Sequence, residues 1–149
     1  MLGATPVAAQ VMTPAEYVKT AGASDLYERE SAKLVLETSR DPQVRDFAAM
    51  MIEMHTQSTK DVKAAAMRSR MKAAPPMLMP TQSEMIAQLR AERGPARDAT
   101  YIAQQRAAHN QALFVQKAYA AEGTSRLLRD AATKIVPVVE HHIMLLMKM

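Results

Sequence analysis

The chain has 149 residues, enough for one domain with a sizeable core, and 48% of them are hydrophobic, so the bulk of the chain has the composition of a folded protein. It carries a formal charge of +4 without the interleaved aromatics or the reading motif of a nucleic-acid surface, so no nucleic acid is expected as a partner. With no Cys at all, disulfides, zinc–thiolate sites and thiol nucleophiles are excluded together.

Residues 1–12 read as a flexible N-terminus. They lack a basic start and a long apolar run, so they are not an intact signal peptide, but "ATPVAAQ" resembles the remnant left where one has been removed. No stretch approaches 18 uninterrupted apolar residues, so no membrane span is predicted. An exported, periplasmic protein is the expectation.

From residue 13 onward every pattern is helical, and residues 13–149 are predicted to form a single bundle. "TPAE" opens the first helix with Thr13 as cap, Pro14 at the first helical position and Glu16 reaching back. The helix should run to about Ser39 with Tyr17, Ala21, Ser24, Glu28, Ser31 and Val35 facing inward, a seam with a carboxylate in its middle. "RDP" stops and restarts the chain: Asp41 caps and Pro42 begins a second, antiparallel helix to about Arg70. Its inward stripe is Val44, Phe47, Ala48, Met51, Met54 or His55, Ser58, Val62 and Ala65. Lys63, Arg68, Arg70 and Lys72 cluster where that helix ends and complement its last carbonyls.

Pro75, Pro76 and Pro80 make "KAAPPMLMP" a non-helical crossover. A short helix follows to about Glu92, with Thr81 and Glu84 as its capping box, and Gly94 and Pro95 break the chain again. The fourth helix extends to about Ala121 and stops at Gly123. The fifth starts at Thr124 or Ser125 and faces inward through Leu128, Ala131, Ile135, Val138 or Val139, His142 and Leu145 or Leu146. Pro137 is expected to kink it. The fold class predicted is therefore all-α: two helical hairpins joined by a crossover that holds a short extra helix, the layout of a ferritin-like four-helix up-down bundle.

Three of the 4 His fall on faces that otherwise read as core: His55, His109 and His142. Each lies near the middle of its helix, so the three can meet. A buried imidazole needs partners for its nitrogens, and one shared transition metal (zinc, copper or iron) would satisfy all three, with Glu28 as a possible fourth ligand. The competing reading leaves each histidine hydrogen-bonded on its own in a metal-free structural or interaction module. A di-iron centre is excluded, because the residues three positions before the histidines are Ile52, Arg106 and Val139 rather than glutamates. Methionines near the histidines (Met50, Met51, Met54, Met144, Met147 and Met149) keep a Met/His copper-binding protein as a further alternative, though such stripes commonly only fill cores. No phosphate loop, nucleophile elbow or HExxH motif is present, and no catalytic residue is predicted.

The chain from about Glu16 to Met147 resembles the bacterial secreted ferritin-like family known as domain of unknown function 4142, often labelled an outer membrane protein. The resemblance rests on the stretch around Glu28, on "DPQVRDFAAMMIEMHT", on "MP" before the third helix, on "RDATYIAQQRAAHNQAL" and on "IVPVVEHHI". Glu28, His55, Asp98, Tyr101, His109, Pro137 and His142 match the family pattern. Met54 stands where the family usually has Asp, which removes a carboxylate beside His55, and Arg97 replaces a Phe. The resemblance implies an envelope or periplasmic bundle and brings no established activity. The partner expected is a metal ion, and self-association into a homodimer is left open.

Overall fold

A computed structural model describes residues 11–149, so most of the N-terminal segment, with its signal-remnant reading, lies outside the described residues. The described residues form five helices and no strand: α1 (Pro14–Thr38), α2 (Pro42–Arg68), α3 (Pro80–Ala91), α4 (Gly94–Glu122) and α5 (Arg126–Leu146). No helix among them is long and apolar enough to cross a membrane.

The starts of α1 and α2 are written locally. Thr13 Oγ1 accepts from Glu16 N at 3.2 Å while Thr13 N donates to Glu16 Oε2 at 2.7 Å. Asp41 Oδ1 accepts from Gln43 N at 2.9 Å, and Pro14 and Pro42 occupy first helical positions, where a missing N–H costs nothing. The Arg45 guanidinium then ties the hairpin by donating to the carbonyls of Leu36 and Ser39, both at 3.0 Å.

Other boundaries differ from expectation for identifiable reasons. α3 begins at Pro80 rather than after Thr81: Pro80 takes the first helical position, and Gln82 Oε1 accepts from the N–H of the cap residue, Met79, at 2.9 Å. α2 ends at Arg68, because Arg70 adopts a left-handed conformation (φ 60°). Met71 N then bonds Ala66 O and Arg70 N bonds Met67 O, both at 3.0 Å, the Schellman pattern. Gly123 ends α4 without a left-handed turn (φ −58°); what demands glycine is the Tyr119 ring, 2.4 Å from where a Cβ would stand.

α1 and α2 form one hairpin, α4 and α5 the other, and the hairpins pack α1 against α4 and α2 against α5. α1 runs antiparallel to α4: Tyr17 stacks on Tyr119 (centroids 4.0 Å apart) near one end of the bundle, Tyr27 OH donates to Gln104 Oε1 at 2.9 Å, and Ser39 Oγ donates to Asp98 Oδ2 at 2.9 Å near the other. The crossover between hairpins makes this possible, returning the chain so that α4 runs parallel to α2. α3 lies against α1 and α4.

The apolar interior is divided in two. One cluster, around Tyr17, Val62, Tyr119 and Leu128, fills the end where α1 begins; the other, around Val35, Phe47, Met51 and Leu89, fills the opposite end. Between them lies a buried polar layer that includes Asp25, Glu28, Ser31, His55, Gln105, His109 and His142. Burying so many polar groups at mid-bundle costs stability unless they satisfy one another or a ligand.

Candidate metal centre

His55 from α2, His109 from α4 and His142 from α5 meet in that layer, and each is at most 8% exposed. Each offers one ring nitrogen to a group whose atoms all lie within 4.8 Å of one another. Their ring centroids form a nearly equilateral triangle with sides of 5.9, 5.8 and 5.3 Å. Phe47 packs against this triangle, its ring 6.1 Å from His109 and 6.3 Å from His142.

Hydrogen bonds fix how two of these rings are presented. His55 Nδ1 lies 2.8 Å from Asp25 Oδ1, and His109 Nδ1 lies 2.9 Å from the Gln105 carbonyl. Both partners only accept, so in the neutral ring, the form that binds a metal, both histidines carry their proton on Nδ1 and expose a lone pair at Nε2. The Nε2 of His55 is buried with no partner. That of His109 points to His142 Nδ1 at 3.3 Å. An imidazole anchored through one nitrogen by a carboxylate or carbonyl, with the other left bare, is the arrangement of a metal-ligating histidine.

The alternative of Met54 or His55 on the inward stripe of α2 is resolved by the structure, and His142 faces inward as expected. His55 and His142 are buried, Met54 is half-buried and His141 is exposed. On α5 the inward face is Leu128, Ala132, Val139, His142 and Leu146, rotated from the predicted stripe so that Ala131 and Ile135 are only half-buried. Pro137 lies on the exposed side of α5, which runs through it without interruption, and there solvent can reach the carbonyl that the proline leaves free.

Glu28, the expected fourth ligand, lies in the same layer beside His109. It is 1% exposed, but its Oε1 sits 3.7 Å from His109 Nδ1, the nitrogen already bonded to Gln105, and it is not part of the three-histidine group. Its Oε2 has no hydrogen-bond partner. The carboxylate that does engage a histidine is Asp25, which the predicted α1 seam passed over in favour of Ser24. Asp25 Oδ2 also accepts from Thr59 Oγ1 at 3.1 Å, and Thr59 in turn accepts from Arg29. The signal was present, since Asp25 lies four residues after Ala21 and three before Glu28, on the same helical face. It supplies from α1 the carboxylate that Met54 does not supply from α2.

Electrostatics separates the three rings. Burial pushes the His142 pKa down to about 3, helped by the neighbouring charges of His109, His55 and His141. Burial also lowers His109, although Glu28 opposes it. At His55 burial works against the charged form, but the hydrogen bond to Asp25 and the charges of Glu28 and Asp25 outweigh it, and the pKa is raised. The metal-free protein is therefore expected to lose stability on mild acidification. Below about pH 6.5 the unfolded chain protonates both His109 and His142 while the folded chain resists, so each contributes a loss of up to about 1.4 kcal/mol per pH unit. The raised His55 acts in the other direction, and only above that pH. Urea midpoints of chelator-treated protein should fall from pH 6.5 to 5, and fall less steeply in His142→Leu. Unchanged midpoints over that range would contradict the assignment.

The family profile described as "Domain of unknown function (DUF4142)" matches residues 2–149. The chain belongs to the DUF4142 family. No curated protein matches it in sequence. Its fold is similar to that of a crystal structure described as "putative secreted protein DUF305 from Streptomyces coelicolor", with a TM-score of 0.75 at 14% identity over 90% of this chain and 88% of the other. At that identity the likeness speaks for the helical fold alone. In this DUF4142 chain, of the positions on which the resemblance rested, Glu28, His55, His109 and His142 lie in the central polar layer, Asp98 joins α4 to the end of α1 through Ser39, Tyr101 is buried near that same end, and Pro137 is on the exposed side of α5.

Proposed function

We propose that this protein is an exported, periplasmic bundle of ferritin-like layout that holds one transition metal ion, zinc, copper or iron, between α2, α4 and α5 through His55, His109 and His142. Its role is binding or buffering of the ion in the cell envelope rather than turnover. The observation that carries this reading is the convergence of three buried imidazoles from three helices, with His55 Nε2 left without a partner. The 3.3 Å between His109 Nε2 and His142 Nδ1 supports it, since two nitrogens on one tetrahedral zinc stand about 3.3–3.4 Å apart for bonds of ~2.0–2.1 Å.

Charge supports it too. Asp25 and Glu28 are buried carboxylates in the same layer, and a cation beside them replaces part of their lost hydration. Asp25 orients His55 from behind. Glu28 stands behind His109 as a charge partner and would have to change rotamer to become a fourth ligand. The metal-free structural module keeps one observation in its favour: with a proton on His142 Nδ1, the same 3.3 Å contact to His109 Nε2 is an ordinary hydrogen bond.

Elemental analysis of protein purified without an affinity tag, beside a triple His55/His109/His142→Ala variant, tests the proposal. One equivalent of zinc, copper or iron is expected in the first and none in the second. Protein that stays metal-free after incubation with all three salts would leave the metal-free module.

A further inference from the structure

Between α2 and α5 a cleft of about 550 Å³ runs from Arg68 and Arg126 at one end of the bundle to Asp25, His55 and His142 at mid-bundle. Its volume lies within the ~300–1,000 Å³ usual for small-molecule sites. Small side chains, among them Ala21, Ala64, Ala65, Ala112 and Ala131, line the seam and leave it unfilled. Two of the three clustered histidines face this space, whereas His109 and Glu28 do not. An ion held by the three imidazoles would thus lie at the inner end of the cleft, with His109 on the far side of it.

Both oxygens of Asp25, the carboxylate at the inner end, are already engaged, one by His55 and the other by Thr59. Asp25 and Glu28 offset the charge of a dication there, but neither belongs to the ligand group, so the fourth position is left for a donor that enters from the cleft. Further out, Lys134, Arg68 and Arg126 line the cleft and form no ion pair among the described residues; of the two carboxylates there, Asp61 accepts from Gln57 at 2.8 Å and Asp130 lies on α5 between Arg126 and Lys134, four residues from each. On α5, Leu127, Ala131, Ile135 and Val138 form a half-buried apolar wall that runs toward His142.

We infer that the fourth coordination position opens into this cleft and takes the carboxylate of a small organic acid whose apolar body lies on the α5 wall. The inference rests on the metal reading above and goes beyond it, because a site with three protein ligands and an accessible open position binds an exogenous ligand, whereas a closed four-ligand site is structural.

Cobalt(II)-loaded protein tests it, since the visible spectrum of cobalt reports changes in its ligands. Acetate, butanoate and hexanoate are titrated in turn after the cobalt stoichiometry has been measured. Saturable spectral changes are expected with all three, with affinity rising about threefold to fourfold per added methylene. Val138→Thr combined with Ile135→Thr should keep the bound cobalt and flatten the dependence on chain length, because these two side chains lie one and two turns from His142 on the cleft wall. Bound cobalt whose spectrum ignores the acids, or acids of equal affinity, would overturn the ligand inference and leave the metal reading standing. Absence of cobalt from the wild-type protein would remove both.

Discussion

Replacing His55 with alanine is expected to lower zinc affinity by more than about 100-fold, the upper end of what loss of an outer-shell partner costs, because a direct ligand is lost. Asp25→Asn should cost about 10- to 100-fold. The amide no longer provides an anionic acceptor for His55 Nδ1–H, so the ring is held less firmly and its Nε2 is less basic. His141→Ala should leave affinity unchanged, because that ring is exposed and its neighbour His142 supplies the inward nitrogen. Competition against a chromophoric chelator at fixed pH gives all three numbers. A His141 variant weaker than the His55 variant would move the site to the surface of α5.

Phe47→Ala should destabilise the bundle by about 3–5 kcal/mol. The ring is 4% exposed, sits within the cluster that closes one end of the bundle, and meets Tyr101 edge-on at 6.4 Å. A loss of that size is a large share of the ~5–15 kcal/mol by which domains are stable. Because the same ring backs His109 and His142, its removal should also loosen the histidine cluster. Urea unfolding with and without zinc separates these effects. The variant should show both a lower midpoint in the metal-free state and a smaller gain on adding metal. A metal-free midpoint close to wild type would contradict the role given to Phe47 as the packing floor of the site.

The architecture could be read from the chain because its punctuation is local. Thr13–Pro14 and Asp41–Pro42 carry capping chemistry that needs no tertiary information, and Pro75 and Pro76 keep the crossover out of helix while Pro80 takes the first position of α3. The meeting of His55, His109 and His142 was legible for a similar reason, since depth along a helix and phase around it follow from spacing alone. Asp25 was harder to read. Its spacing fits the buried face of α1, but an aspartate there is ordinarily solvated, and only the arrival of His55 from α2 makes burial tolerable.

What depended on the relative rotation and separation of packed helices was not legible. The inward face of α5 is offset from the predicted stripe, which turns Ala131 and Ile135 toward the α2 seam and makes them walls of the cleft. Glu28 is buried as expected, yet its rotamer takes it behind His109, and helical spacing says nothing of rotamers. At Gly123 the need for glycine comes from the stacked Tyr119 ring, a contact that depends on α1 delivering Tyr17 to the other side of that ring.

The most direct test of the central claim is anomalous diffraction at the zinc edge from crystals of zinc-loaded protein. A single strong peak about 2.0–2.1 Å from a ring nitrogen of each of His55, His109 and His142 is the result expected. A peak at His141 or at the exposed sulfurs of Met144 and Met147, with the buried trio empty, would contradict it.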